Sequence, residues 1–176
     1  MSNVRVVFIG APGSGKTTAA RAAAARLDCE HVELDAIYHG PNGRHPSRAA
    51  FAATLERKLA ASRWVVDGWH ERMIGDLAIE RADAVVFLDP PLPIALGRVV
   101  RRSLAEIASR KPLWNGNRQT WRGAFGGRES LLGYALRRHG ELRRRVQQRV
   151  SRGELRVVHL RTRKDVSAWL AELSPE

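Results

Sequence analysis

The residue pattern with the clearest chemical meaning lies near the start of the chain. Residues 10–17 read Gly-Ala-Pro-Gly-Ser-Gly-Lys-Thr, a complete G-x-x-x-x-G-K-[ST] loop. Glycines let backbone N–H groups turn inward around a phosphate, the lysine reaches the β- and γ-phosphates, and the threonine hydroxyl can ligate Mg²⁺. The pattern therefore predicts a nucleoside triphosphate site. Its predicted nucleotide-binding residues are Gly10, Ala11, Pro12, Gly13, Ser14, Gly15, Lys16, Thr17 and Thr18.

Two aspartates follow segments that have the character of strands. Asp35 ends the segment 30–35, and Asp67 is followed by Gly68 at the end of the segment 64–68. Ligands of parallel sheets bind beyond the carboxyl ends of the strands, so we expect both aspartates and the phosphate loop to converge on one site. The alternative for each aspartate is a structural role in a turn or a helix cap.

Strand and helix patterns alternate along the whole chain. The predicted strands are 4–9, 30–35, 64–68, 84–89 and 155–160. The predicted helices are 18–27, 48–62, 71–81, 93–108, 129–152 and 164–173, and the predicted loops are 36–47 and 109–128. Strands that are apolar on both faces predict an α/β fold with a five-stranded parallel sheet and helices on both faces. A chain of 176 residues is predicted to form one domain, 1–176.

Composition narrows the classes of protein. The formal net charge is +12, which favours phosphate or nucleic-acid binding or reflects only a genome-wide preference for arginine. The sequence has no apolar run long enough for a transmembrane helix. A single cysteine, Cys29, permits no internal disulfide and no cysteine-based metal site, which favours a cytoplasmic setting. His39 and His45 lack the further ligands of a metal site.

The order of these motifs resembles the small P-loop kinases, including adenylate, shikimate and gluconate kinases. It is most similar to the bacterial adenylate kinase-related group described as topology modulation proteins. The resemblance rests on the phosphate loop, Leu34-Asp35-x-x-Tyr38, Trp64-Val65-Val66-Asp67-Gly68, the segment 84–91 and the arginine-bearing segment after it. It covers nearly the whole chain and implies a three-layer P-loop NTPase fold with an arginine-rich lid at about 101–128.

This resemblance implies an ATP-dependent phosphotransferase. The γ-phosphate of Mg·ATP would move to a small-molecule acceptor, which could be a nucleoside, a nucleotide or another hydroxyl compound. Thr17 and Asp67 would bind Mg²⁺, Asp35 would contact the acceptor hydroxyl, and Gly68 and Trp69 would lie beside the acceptor, although Trp69 could instead fix its loop. The implied catalytic residues are Lys16, Asp35, Arg110, Arg102 and Arg118, and Arg161 is expected at the base.

Other functions compete with this one. The basic charge and the arginines of 137–152 would also suit a nucleic-acid-associated ATP-binding protein or ATPase, although no nucleic-acid motif is present. A nucleotide-binding regulator with little turnover is a third hypothesis. An Asp35→Asn substitution separates these classes, because it should cripple a kinase while leaving ATP and nucleic-acid binding largely intact. The residues leave the acceptor, the choice between ATP and GTP, and the oligomeric state open.

Overall fold

The fold is built on one parallel sheet. The computed structural model describes residues 4–40, 44–110 and 113–173, and the side chain of residue 114 is outside this description. The strands are β1 (Arg5–Gly10), β2 (Glu30–Glu33), β3 (Trp64–Asp67), β4 (Ala84–Leu88) and β5 (Val158–Leu160). They lie in the order β2-β3-β1-β4-β5, and each neighbouring pair is parallel. The predicted five-stranded parallel sheet is therefore confirmed.

Helices connect the strands. They are α1 (Lys16–Leu27), α2 (Leu34–Tyr38), α3 (Arg48–Leu59), α4 (Glu71–Ile74), α5 (Leu92–Ser109), α6 (Trp121–Phe125), α7 (Leu131–Ser151) and α8 (Arg163–Ala171). None of those formed by the described residues combines the length and the apolar character needed to cross a membrane.

Two apolar layers hold the helices against the sheet. One layer joins α1 and α8 to the sheet through residues such as Phe8, Val65 and Leu170. The other joins α3 and α7 to the opposite set of strand side chains, including Val7, Phe51 and Leu142. This division follows from the geometry of β-strands, because successive side chains along a strand point to opposite faces of the sheet. All five strands then end at one edge of the sheet, where the loops that bear polar residues meet.

The structure corrects the predicted boundaries near Asp35. The second strand ends at Glu33, and Asp35 lies in the first turn of α2 rather than at the end of a strand. Helix formation here buries Leu34 completely and brings the Tyr38 ring 6.3 Å from the ring of Phe51. The predicted loop 36–47 therefore begins as a helix, and its residues 41–43 lie outside the described residues.

The predicted loop 109–128 is also more regular than expected. Helix α5 continues to Ser109, a 3-10 turn spans Trp114–Gly116, and α6 begins after Thr120, whose hydroxyl accepts a hydrogen bond from the N–H of Gly123. Its residues 111–112 are outside the described part. The predicted helix 71–81 ends at Ile74 instead, and the predicted strand 155–160 contains only Val158–Leu160.

Candidate active site

The phosphate loop joins β1 to α1 and is shaped by close packing. Gly13 has a φ of +80°, and a Cβ added there would lie 2.1 Å from the carbonyl oxygen of Ala95 on α5. Only glycine fits this contact. Gly15 precedes the first turn of α1 with no side-chain cap, and that turn holds no acidic residue. The N–H groups at this helix end are therefore suited to a phosphate.

Arg98 of α5 braces this loop. Its Nη1 donates hydrogen bonds to the carbonyl oxygens of Ser14, at 2.9 Å, and Gly13, at 3.3 Å. Burial lowers the pKa of Arg98, and the nearby positive charges of Arg163 and Arg101 lower it further. Arg98 lies in the predicted helix 93–108, but the sequence does not predict its contact with the phosphate loop, because residues 85 positions apart share no local pattern.

A cavity of about 570 Å³ opens between the phosphate loop, α5 and the start of α8. This volume is typical of a site for a small organic ligand. Of the sequence-predicted residues, the following line it: Gly13, Ser14, Gly15, Lys16, Thr17, Thr18, Arg102 and Arg161. Arg98, Arg101 and Arg163 also contribute, so the wall is strongly cationic and matches a polyphosphate.

The other sequence-predicted site residues are outside the lining of this cavity. Within the described chain, Gly10, Ala11 and Pro12 shape the loop and are outside the cavity lining. A Cβ on Gly10 would lie 2.5 Å from the Ser14 hydroxyl oxygen, so its smallness serves the packing of the loop. Arg110 follows the last residue of α5 and has an exposed side chain, and Arg118 is exposed after the 3-10 turn. Neither residue belongs to the lining of the cavity.

The carboxyl group of Asp35 lies close to the phosphate loop and to two histidines. Its Oδ1 is 2.8 Å from the Nε2 of His70. Burial acts to raise the pKa of Asp35, but the His70 hydrogen bond and the positive charge of Lys16 outweigh burial, and the pKa lies below its usual value. Lys16 of the phosphate loop is therefore one of the charges that act on the Asp35 carboxylate.

Asp67 ends β3 with its side chain almost wholly buried, at 2% exposure. Among the described residues its Oδ1 has no hydrogen-bond partner, and its Oδ2 lies 3.9 Å from the Nε2 of His31. A buried carboxylate oxygen without a partner is costly unless a cation or water satisfies it. The described part of the chain contains no cluster of three or more His, Cys, Asp or Glu side chains arranged for a metal. Mg²⁺ does not need one, because it binds through one or two protein groups, water and substrate phosphates.

Gly68 and Trp69 follow Asp67 and have structural contacts. The N–H of Gly68 donates to the carbonyl oxygen of Phe8, at 2.9 Å. The indole N–H of Trp69 donates to Asp76, at 3.1 Å, and the Arg149 guanidinium lies 5.5 Å from the Trp69 ring centroid. These contacts fix Trp69 to the body of the protein, and its place beside the acceptor stays a prediction.

The segment after α5 contacts α2 and the residues that follow it. The side-chain amide of Asn115 donates to the carbonyl oxygens of Ala36 and His39, and that of Asn117 donates to the carbonyl oxygen of Gly40. These contacts were not predicted from the sequence. They connect the predicted lid to the segment that holds Asp35.

Three partly buried arginines of α7 pair with carboxylates that lie outside this helix. The Nε of Arg143 donates to Asp89 at 2.8 Å, and Arg149 pairs with Asp76 at 2.8 Å. Arg145 also pairs with Glu71. These ion pairs give several of the basic residues in 137–152 a role within the fold, so their number is not in itself a reason to expect a nucleic-acid surface on this helix.

Comparison with known proteins shows which folds and which family the chain resembles. The chain is similar over 98% of its length to a gluconokinase from Sinorhizobium meliloti 1021, covering 94% of that chain with a TM-score of 0.55 and 22% identity. It is similar over 97% of its length to shikimate kinase from Acinetobacter baumannii in complex with shikimate, covering 91% of that chain with a TM-score of 0.56 and 15% identity. No curated protein matches the sequence. The model of the family described as AAA domain matches residues 6–173, so the chain belongs to this family and has the fold of the P-loop small-molecule kinases.

Proposed function

We propose that this protein transfers the γ-phosphate of Mg·ATP to a hydroxyl group of a small-molecule acceptor. The observation that carries the proposal is the Asp35 carboxylate beside the phosphate-loop connection, where the positive charge of Lys16 helps to hold its pKa below the usual value. A phosphate-binding lysine and an ionised carboxylate from a neighbouring strand connection are what phosphoryl transfer to a hydroxyl requires.

The residues divide between two sides of the proposed site. Lys16 and the backbone N–H groups of the loop bind the phosphates, and Arg102 and Arg161 of the cavity wall are the arginines proposed at the phosphates and the base. Asp35 orients the acceptor hydroxyl and takes its proton. Arg110 and Arg118 would need a movement of the lid to reach the phosphates.

The chain also fits a Mg²⁺ ion. Thr17 lines the cavity, and the buried Oδ1 of Asp67 lacks a hydrogen-bond partner within the described residues, so these two side chains would hold the ion directly or through water. When bound, Mg²⁺ neutralises charge on the β- and γ-phosphates.

The test is consumption of Mg·ATP against a panel of acceptors, with products identified by mass spectrometry. The panel contains nucleosides, nucleoside monophosphates, sugar acids including gluconate, shikimate, aminoglycosides, and a short DNA and RNA. We expect one phosphorylated small molecule. Lys16→Ala should lose nucleotide binding, and Asp35→Asn should keep it while lowering turnover by about 100-fold or more, the usual contribution of a positioned base.

Asp83→Asn is the matched control. Asp83 is an exposed aspartate that pairs with Arg5 just before β4, at the edge of the sheet opposite the site, and its substitution should leave turnover unchanged. Equal turnover in Asp35→Asn and Asp83→Asn would refute the role of Asp35. ATP hydrolysis that only DNA or RNA stimulates, with no phosphorylated acceptor, would replace this proposal with the nucleic-acid-associated alternative.

A further inference from the structure

His70 and Asp35 form a pair that the phosphate loop motif does not require. The Nε2 of His70 lies 2.8 Å from the Oδ1 of Asp35, although the residues are 35 positions apart. Asp35 comes from the first turn of α2, and His70 immediately precedes α4. Both side chains are partly buried, with 34% exposure for Asp35 and 20% for His70.

The position of the His70 ring is fixed by packing as well as by this hydrogen bond. Its centroid lies 4.9 Å from the ring of Tyr38 and 5.6 Å from the ring of Phe51, each at an interplanar angle of 40°. Phe51 is itself completely buried. Rotating the imidazole away from Asp35 would therefore break aromatic contacts in addition to the hydrogen bond.

We propose that His70 is a positioning residue, which holds Oδ1 of Asp35 so that Oδ2 receives the proton of the acceptor hydroxyl. The inference rests on the proposed function. In the step, the O–H bond of the acceptor breaks and its proton passes to Oδ2. The acceptor oxygen bonds to the γ-phosphorus, and the bond from this phosphorus to the β–γ bridging oxygen breaks, so ADP leaves with the electron pair.

The charges around the pair favour an ionised carboxylate. The His70 hydrogen bond, the positive charge of Lys16 on α1 and, when they are protonated, the charges of His70 and His39 oppose the effect of burial on the pKa of Asp35. Burial lowers the pKa of His39 itself. Tyr38 and His45 complete the titratable groups of this ring cluster, with centroids 4.2 Å apart. Because phosphoryl transfer depends on orientation more than on a strong base, a fixed and ionised carboxylate suits the step.

Two substitutions separate the hydrogen bond from the packing. His70→Phe keeps an aromatic ring against Tyr38 and Phe51 but removes the nitrogen donor. His70→Gln keeps an N–H donor near the position of Nε2 but removes the ring. The control is His45→Phe, which retains a ring stacked on Tyr38 and removes an imidazole whose own hydrogen-bond contact is with the carbonyl oxygen of Tyr38.

The first measurement needs no activity. The carboxyl carbon of Asp35, assigned by comparison with Asp35→Asn, is titrated by NMR in the nucleotide-free protein. Removing a hydrogen bond to the ionised form raises the pKa of a carboxyl group, so the midpoint should move to higher pH in His70→Phe. It should move less in His70→Gln, which keeps a donor but loses the charge of the imidazole, and it should stay near that of the unsubstituted protein in His45→Phe. An unchanged midpoint in His70→Phe would overturn the inference.

The second measurement is phosphate transfer from Mg·ATP to the acceptor panel. His70→Phe should lower kcat about 10-fold or more with little change in KM for ATP, and His70→Gln should recover most of this loss. In His70→Phe the acid limb of the plot of kcat against pH should move to higher pH. A normal kcat in His70→Phe, despite a shifted titration, would show a merely structural pair and would overturn the inference. If the unsubstituted protein phosphorylates no compound, the proposed function has failed, and the titration alone still decides whether His70 acts on Asp35.

Discussion

Replacing Gly13 with alanine should separate the phosphate loop from α5. The added Cβ would lie 2.1 Å from the carbonyl oxygen of Ala95 and 3.0 Å from the Cγ2 of Val99. Because non-bonded heavy atoms of this kind are most stable at about 3.5 Å, the loop and the helix must move apart by about 1 Å or more. Both contact residues are buried, at 1% and 0% exposure, so neither can move into solvent.

Three costs determine the size of the effect. An L side chain at a φ of +80° costs about 1–2 kcal/mol, and overpacking a buried contact costs about 1–3 kcal/mol. Arg98 spans the same gap with hydrogen bonds to Gly13 and Ser14, and weakening such charged hydrogen bonds adds about 1.5 kcal/mol. We expect Gly13→Ala to lower the free energy of unfolding by about 5 kcal/mol, a large part of the stability of an ordinary domain.

Gly153→Ala is the matched control. Gly153 follows α7 with a φ of +71°, and apart from its chain neighbours no heavy atom of the described chain lies within 4 Å of an added Cβ. It should therefore lose only the strain, about 1–2 kcal/mol. Urea unfolding followed by circular dichroism measures both losses, and calorimetry with a non-hydrolysable ATP analogue measures binding, which should weaken only in Gly13→Ala. Equal losses of stability in the two variants, or normal binding in Gly13→Ala, would refute the reasoning.

Three further predictions concern side-chain contacts. Arg143→Met leaves the buried carboxylate of Asp89 without its closest cation and should lower the free energy of unfolding in urea by about 3 kcal/mol. The exposed Arg144→Met should change the free energy of unfolding by less than about 0.5 kcal/mol, and similar losses in the two variants would contradict the structural role of the ion pair. Asn115→Ala should accelerate amide hydrogen exchange in the segment that follows Leu34, because the carbonyl groups of Ala36 and His39 lose a hydrogen-bond donor. Unchanged exchange would show that this contact does not order the segment. The hydrogen bond from Arg5 lowers the pKa of Asp83. The ion pair therefore stabilises the protein fully above the ordinary pKa of aspartate, and this stabilisation is lost as the pH falls through the lowered pKa. The difference between Asp83→Asn and the unsubstituted protein should therefore shrink in thermal unfolding at acid pH, and a difference that grew instead would exclude this linkage.

Local chemistry made much of the fold predictable. The phosphate loop has a fixed spacing, and the apolar strands have a pattern that only a buried parallel sheet satisfies. Asp35 and Asp67 were predicted near the phosphate loop because strand ends share one edge of such a sheet, and the structure places Asp35 within reach of the charge of Lys16.

Contacts between distant residues were not predictable in the same way. The pairing of Arg143 with Asp89 spans 54 positions, and that of His70 with Asp35 spans 35. Nothing in the local sequence of α7 distinguishes an arginine that enters an ion pair from one that stays exposed. The start of α2 was missed for a related reason, because the burial of Leu34 depends on packing that the strand-like pattern of 30–35 does not contain.

The hydrogen bonds from Asn115 and Asn117 have a consequence for how this site can evolve. Their acceptors are main-chain carbonyl groups of Ala36, His39 and Gly40, which are present whatever side chain those positions carry. Mutations that alter side chains in this segment can therefore leave its attachment to residues 115–117 in place. Under the proposed function, selection could then act on the preferred acceptor separately from this attachment, so a new acceptor would not require a new predicted lid.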